Sequence, residues 1–376
     1  MIVGILKERK AGEYRVAITP AGVEIMKHHG HTILVEKGAG KASGFEDADY
    51  AGMGAEVVGP AATSEAAEEI FSRSEMILAV KEPQPFEYRF LRPDQIYFSY
   101  LHLATSEELT LALIRISSVN IAYETVQKAN GSLPLLIPMS EVAGAMAIQE
   151  GAKYLEMAQG GGGVLLGGVP GVDPGMVVIL GGGAVGISAA KTACGWGAKV
   201  YVLDVNLDRL RYLSDVMPPN CFVVMSSPAT IRDLVTRADI VIGATLVPGS
   251  KCPILVTREM LKTMKKGSVL VDVAIDQGGN FETSKETTHD TPTYIVDEVV
   301  HYAVSNMPGA LPQTSTIALT NSTLSYALQI ADKGWKRALA ENPELKCGAN
   351  VVSGKVTYRG VADTFGLEYT PIDTLF

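Results

Sequence analysis

Cysteine is scarce in this chain of 376 residues: only Cys194, Cys221, Cys252 and Cys347 occur, widely spaced and without a CxxC pair. That excludes a disulfide framework and a zinc cluster of paired thiols, and it predicts buried, reduced thiols. Positive charge is also short. With 32 Lys and Arg against 41 Asp and Glu the net charge is −9, so no excess of cations can displace counterions along a phosphate backbone, and nucleic acid is excluded as a general partner. Long apolar runs are missing as well. The opening MIVGILKERK reaches charge after six residues, too soon for the apolar core of a secretory signal. Residues 303–331 carry no acid or base, yet Asn306, Pro308, Pro312, Gln313 and Asn321 make them too polar to span a bilayer. No repeat of fixed period is found. The expectation is a soluble cytoplasmic protein with no membrane partner.

What is present is apolar surface in quantity. Hydrophobic residues make up 47% and charged residues 19%, enough to bury a core rather than stay disordered. At roughly 100–200 residues per domain the length suggests two domains. Short β-branched runs alternate with helix-period runs, the pattern of parallel sheets wound by helices. Strands are expected at 2–6, 32–36, 76–80, 95–101 and 119–123, with helices at 20–29, behind the N-cap Thr19 and Pro20, and at 106–116. A glycine- and proline-rich stretch at 160–175 breaks the series. A second series follows, with strands at 176–180, 199–203, 222–225, 240–243 and 268–273 and helices at 185–195, 207–216, 229–237 and 258–265. Residues 315–342 read as one or two helices and 350–358 as a weak hairpin. The fold class expected is therefore α/β, with two doubly wound parallel-sheet domains. The first is discontinuous, 1–135 plus 310–376, and the second, 136–309, is inserted into it.

The run Gly181-Gly182-Gly183-Ala184-Val185-Gly186 places GxGxxG directly after an apolar strand and at the mouth of an Ala-rich helix. Gly181 would permit the tight turn, Gly183 would let the backbone approach a pyrophosphate, and Gly186 would allow close helix–strand packing. The next strand ends in Asp204, a carboxylate suited to ribose hydroxyls and repellent to a 2′-phosphate, so the cofactor expected is NAD rather than NADP. Arg209 could cover the adenine side or pair with an acid on its own helix.

Ligands of wound sheets bind beyond the carboxyl ends of strands. Lys81, His102 and Asp276 all follow expected strands. With Arg15 they form a usable set for oxidising a small 2-amino or 2-hydroxy acid: cations for a carboxylate and a developing carbonyl, and groups that take and return protons. From spacing alone, solvated charges and a core histidine remain open readings. His28, His29 and His31 cluster at a helix end, where capping is favoured over metal binding; no metal is expected.

Several stretches together resemble the alanine dehydrogenase family, which is related to the soluble NAD-binding subunit of proton-translocating transhydrogenase. They are Gly4-Ile-Leu-Lys-Glu8, Arg15-Val-Ala-Ile-Thr-Pro20, Val80-Lys-Glu-Pro83, Tyr100-Leu-His-Leu-Ala104, Met139-Ser-Glu-Val-Ala-Gly144, Leu166-Gly-Gly-Val-Pro-Gly171, Val271-Asp-Val-Ala-Ile-Asp-Gln-Gly-Gly279, Asn306-Met-Pro308 and Thr314-Ser-Thr-Ile-Ala-Leu-Thr-Asn321. The resemblance implies reversible oxidative deamination of L-alanine to pyruvate and ammonium with NAD. It implies Arg15 and Lys81 as substrate ligands and His102 and Asp276 as the acid/base pair. Ser140, Asp204, Asn306 and Met307 would contact the cofactor, and Leu136, Met139 and Tyr100 would shape a small side-chain pocket. A homo-oligomer, commonly a hexamer, is implied too. Ala145 and Gly162 depart from the family pattern, in which basic residues are common there; salt bridges or oligomer contacts are the features this touches. The rival readings are a transhydrogenase-type subunit and a non-catalytic NAD-binding sensor or scaffold.

Overall fold

The computed structural model describes residues 1–246 and 252–376. Six short strands of the first third, β1 (Ile2–Ile5), β2 (Thr32–Glu36), β3 (Glu56–Val58), β4 (Met76–Leu78), β5 (Ile96–Ser99) and β6 (Val119–Ala122), are nearly all apolar. Helices cover both faces of a wound parallel sheet, so its strands need no polar face. They pair in parallel in the order β3-β2-β1-β4-β5-β6. The helix Pro20–His28 that follows β1 starts where Thr19 Oγ1 accepts from the Gly22 amide at 3.2 Å. The helix Glu107–Ile116 is opened in the same way by Ser106 and carries Glu107 and Glu108 in its first turn, where the helix dipole favours anions.

The second series builds its own sheet from β7 (Met176–Leu180), β8 (Lys199–Asp204), β9 (Cys221–Met225), β10 (Ile240–Gly243), β11 (Val269–Asp272), β12 (Thr293–Val296) and β13 (Val299–Tyr302). Its parallel order is β9-β8-β7-β10-β11-β13, with β12 antiparallel at the edge. Both sheets thus reverse direction at one point, between β1 and β4 and between β7 and β10, which is the doubly wound dinucleotide-fold order. At the end of the chain β14 (Ala349–Val352) adds antiparallel to β6 and turns into β15 (Lys355–Val356). The chain divides into two compact units, Met1–Met139 with Gly309–Phe376, and Ser140–Pro308.

Several local expectations need correcting. The strands expected at 76–80 and 95–101 stop early: backbone pairing ends with the Ala79 and Tyr100 amides, which donate to the Phe98 and Val80 carbonyls, and the amides after them go to side chains. Val80 and Lys81 donate to Glu8, and Leu101 and His102 donate to Glu124. The helix expected at 258–265 spans only Arg258–Leu261. The helix Ile137–Tyr154, the strand β3 and the β12–β13 hairpin carry no signal strong enough to be expected. Of the four thiols, Cys194 and Cys252 are buried, but Cys221 is only half-buried and Cys347 is exposed. A carboxylate does reach the histidine cluster: Asp332, from the helix Pro312–Lys333, bonds His29 Nδ1 at 3.0 Å and His31 Nε2 at 2.8 Å. Among the described residues no group of three or more His, Cys, Asp or Glu could hold a metal, and no helix is long and apolar enough to cross a membrane.

Candidate active site

In the first unit the polar residues collect at the carboxyl ends of β1, β4 and β5, around the point where the strand order reverses. Arg15 comes from the segment after β1, Lys81 from just beyond β4 and His102 from just beyond β5. Arg15 is 2% exposed and Lys81 9%. A buried guanidinium must be paired, because an unpaired charge away from water costs far more than the fold can supply. Glu13 pairs it: Oε1 accepts from Arg15 Nε at 2.7 Å and Oε2 from Nη2 at 2.5 Å. Met139 Sδ lies 2.9 Å from Nη1. Burial pushes the Glu13 carboxyl up, but the bonds and charge of Arg15 outweigh it and bring it down to about 2. Burial, followed by repulsion from Arg15, holds the Lys81 ammonium below its ordinary range. Behind both cations, burial and the neighbouring Glu13 charge push the Glu8 carboxyl up to about 8. Its two oxygens take the Val80 and Lys81 amides at 2.6 and 3.3 Å, which fixes the backbone from which Lys81 projects.

His102 is half-buried and lies at φ 46°, ψ 39°, a left-handed conformation that costs a residue with a Cβ about 1–3 kcal/mol. Its ring stacks on Tyr100, with centroids 5.9 Å apart and planes 9° from parallel. The Tyr100 hydroxyl donates to the Leu135 carbonyl at 2.5 Å.

In the second unit the glycine turn leaves β7. Gly181 adopts φ +114°, closed to most side chains, and a Cβ on Gly186 would run into the Gly181 carbonyl oxygen. A Cβ on Gly183 would meet nothing within 4 Å, so this glycine faces open space. The helix Ala184–Gly195 begins without a side-chain cap, and its first amides are therefore not taken by a capping side chain. Asp204, at the end of β8, accepts from the Gly182 amide at 2.8 Å and the Asn206 amide at 2.8 Å. Of the two readings of Arg209, pairing with an acid on its own helix is not what the structure shows. Its Nε donates to the Gly182 carbonyl at 2.5 Å and its guanidinium lies over Tyr212, while the acid of that helix turn, Asp208, pairs with Arg211.

Asp276 is exposed on the turn Ile275–Gln277 just beyond β11. That turn is anchored by Asp272, which accepts from the Ala274 and Asn280 amides and from the Ser284 hydroxyl. Burial pushes Asp272 up to about 6. Ser140 is half-buried near the start of the helix Ile137–Tyr154. Asn306, at φ +53°, and the buried Met307 follow β13. The structure thus gathers Arg15, Lys81, Tyr100, His102 and Met139 in one unit. Asp204, Arg209 and the glycines gather at the β7 end of the other, with Asp276, Asn306 and Met307 beyond β11 and β13. Glu8, Glu13, Glu124 and Asp272 went unnoticed in the sequence. For Glu124 and Asp272, position at a strand end was the available signal.

Two wound sheets, one with a glycine turn and strand-end acid and the other with a buried cationic cluster at its reversal point, define a Rossmann-type α/β protein. The family model for the alanine dehydrogenase/PNT N-terminal domain matches residues 4–143, and that for the C-terminal domain matches 147–359. The chain belongs to this alanine dehydrogenase/PNT family. It is 54% identical to an alanine dehydrogenase of Methanococcus maripaludis over 374 residues, 99% of each chain. It is 52% identical to one of Staphylococcus haemolyticus, over 99% of this chain and 98% of that one. A solved L-alanine dehydrogenase superposes with a TM-score of 0.93 at 48% identity, covering 97% of this chain and 99% of the other. A transhydrogenase from Sinorhizobium meliloti superposes at 0.80 with 25% identity, covering 95% and 99%.

Proposed function

We propose that this chain catalyses the reversible, NAD-dependent oxidative deamination of L-alanine to pyruvate and ammonium. The observation that carries the reading is the grouping of Arg15, Lys81 and His102 at the ends of β1, β4 and β5. The unit that holds them takes the substrate, and the unit Ser140–Pro308 takes the dinucleotide. The glycine turn fits that group: Gly181 is left-handed, Gly183 is open on its face, and the helix behind them starts uncapped. Asp204 suits ribose hydroxyls and repels a 2′-phosphate, hence NAD. Ser140, Arg209, Asn306 and Met307 complete the cofactor contacts.

Arg15 holds the substrate carboxylate through its fork of donors, which matches the two oxygens. Lys81 steadies the oxygen that becomes the pyruvate carbonyl, and Leu136, Met139 and Tyr100 close around the methyl group. NAD, when bound, accepts the hydride that leaves Cα. His102 takes a proton from water as it attacks the resulting iminium carbon and then returns one to the departing ammonia, and Asp276 is the second group suited to taking and returning protons. The family resemblance further supports a homo-oligomer, a hexamer, working in the cytoplasm.

The test is a substrate panel of L-alanine, glycine, L-serine and 2-aminobutyrate, each with NAD and with NADP. Alanine with NAD should give the highest kcat/KM. A pocket distinguishes one methylene by only about 1–3 kcal/mol, so the neighbours should show weaker turnover rather than none. Absence of NADH formation with alanine, or a preference for NADP, would overturn the reading.

A further inference from the structure

We propose that Glu124 is the positioning residue for His102, setting the direction of its imidazole through the backbone. The inference rests on the acid/base role given to His102 above. Strands β5 and β6 are parallel neighbours with Ser99 opposite Ala122, so the chain just past each strand lies level with the other. Glu124 stands two residues past Ala122, on the turn Tyr123–Thr125. There its Oε1 accepts from the His102 amide at 2.6 Å and its Oε2 from the Leu101 amide at 3.2 Å. One carboxylate thus claims two successive N–H groups at the point where the chain leaves the sheet.

That grip matters because of the conformation it holds. A residue with a Cβ keeps φ 46°, ψ 39° only when its surroundings determine it from several sides. On the amide side of His102 the constraint is Glu124. On the carbonyl side, Thr105 donates to the His102 carbonyl through both its amide, at 2.9 Å, and its hydroxyl, at 2.7 Å. In this conformation the ring stacks on Tyr100, itself packed edge-on against Tyr123, the residue before Glu124. If the backbone relaxed to an ordinary conformation, the Cα–Cβ bond would swing and the imidazole would leave this stack. Proton transfer needs the ring nitrogen placed within hydrogen-bond reach of the reacting water, so the loss should fall on the chemical step and not on substrate affinity.

Two variants test this. Glu124→Gln keeps one carbonyl acceptor and turns an NH2 group toward the other amide; Glu124→Asp keeps both oxygens one methylene further back. For E124Q we expect kcat with alanine to fall about ten- to a hundredfold, the scale on which small misplacement of a reacting group is felt. KM for alanine should change by no more than about threefold, the NAD dissociation constant should hold, and the pH profile of kcat should be displaced. E124D should recover part of the loss. Ser106→Ala removes the cap of the next helix and leaves the carboxylate grip intact, so it supplies a stability-matched control with near-normal kcat. E124Q turnover within about twofold of wild type would overturn the proposal, as would a loss confined to KM or one that S106A reproduces at the same melting temperature. His102→Ala separates the two levels. If H102A is inactive while E124Q is normal, the positioning role alone fails; if H102A turns over normally, the acid/base assignment fails and the positioning role with it.

Discussion

Glu13 holds Arg15 by one edge of the guanidinium, through Nε at 2.7 Å and Nη2 at 2.5 Å, with both groups buried. The pair presents an oriented fork of donors where a free arginine would sweep through many rotamers. Glu13→Gln removes the charge and one of the two acceptors. Hydrogen bonds to charged groups contribute about 1.5–3 kcal/mol, so KM for alanine and for pyruvate should rise about ten- to a hundredfold while kcat falls less. Steady-state kinetics in both directions measure this.

Gly186 packs where a Cβ would meet the Gly181 carbonyl oxygen, a backbone atom that cannot rotate away. Overpacking of this kind costs about 1–3 kcal/mol. Gly186→Ala should lower the melting temperature and weaken NAD binding together, whereas alanine at Gly183, which faces open space, should leave the melting temperature nearly unchanged. Thermal unfolding with and without NAD separates the two.

Asp204 should set the choice between the two dinucleotides. Asp204→Asn keeps an oxygen for the Gly182 amide and removes the charge that a 2′-phosphate would face. Like charges brought together cost several kcal/mol, so the ratio of kcat/KM for NADP over NAD should rise more than tenfold. An unchanged ratio would place nucleotide choice elsewhere.

Glu8 and Asp272 link stability to pH. Their folded-state values are raised to about 8 and about 6. For raised carboxyls the unfolded chain gives up its protons first, so their contribution is complete below the ordinary carboxylate range and is lost as pH climbs through the folded values. Glu13, brought down to about 2, acts in the opposite sense, and only in strong acid. Urea midpoints should therefore decline between about pH 4.5 and 8. Glu87, raised to about 7 by burial, adds to it, and Glu8→Gln, which still offers an oxygen to the Val80 amide, should remove the largest single part of that decline.

The glycine turn and Asp204 could be read from the sequence because each depends on a short local pattern: a buried strand, a tight turn, a helix start, then a strand-end acid. Strand order could not be read, but alternation alone was enough to imply winding, and winding places Lys81, His102 and Asp276 at the correct edge. The acids that hold the site were hidden for a physical reason. Glu13 lies two residues before Arg15 and looks like any surface charge until the fold buries both. Glu8 and Glu124 act on the amides of a different strand end, a relation created by the parallel pairing of β1 with β4 and of β5 with β6. The same side-chain competition for backbone amides explains why backbone pairing goes no further than Ala79 and Tyr100, short of where the apolar runs end. Arg209 turned toward a carbonyl, and local charge spacing carries no information about such a partner.

The central claim is that a hydride leaves Cα of alanine for the bound nicotinamide. The most direct test incubates the protein with NAD and L-alanine bearing deuterium at Cα, and weighs the reduced cofactor. The account requires one deuterium per NADH formed, with its appearance lost in H102A. Reduced cofactor without the label, or labelled cofactor at the wild-type rate in H102A, would contradict it.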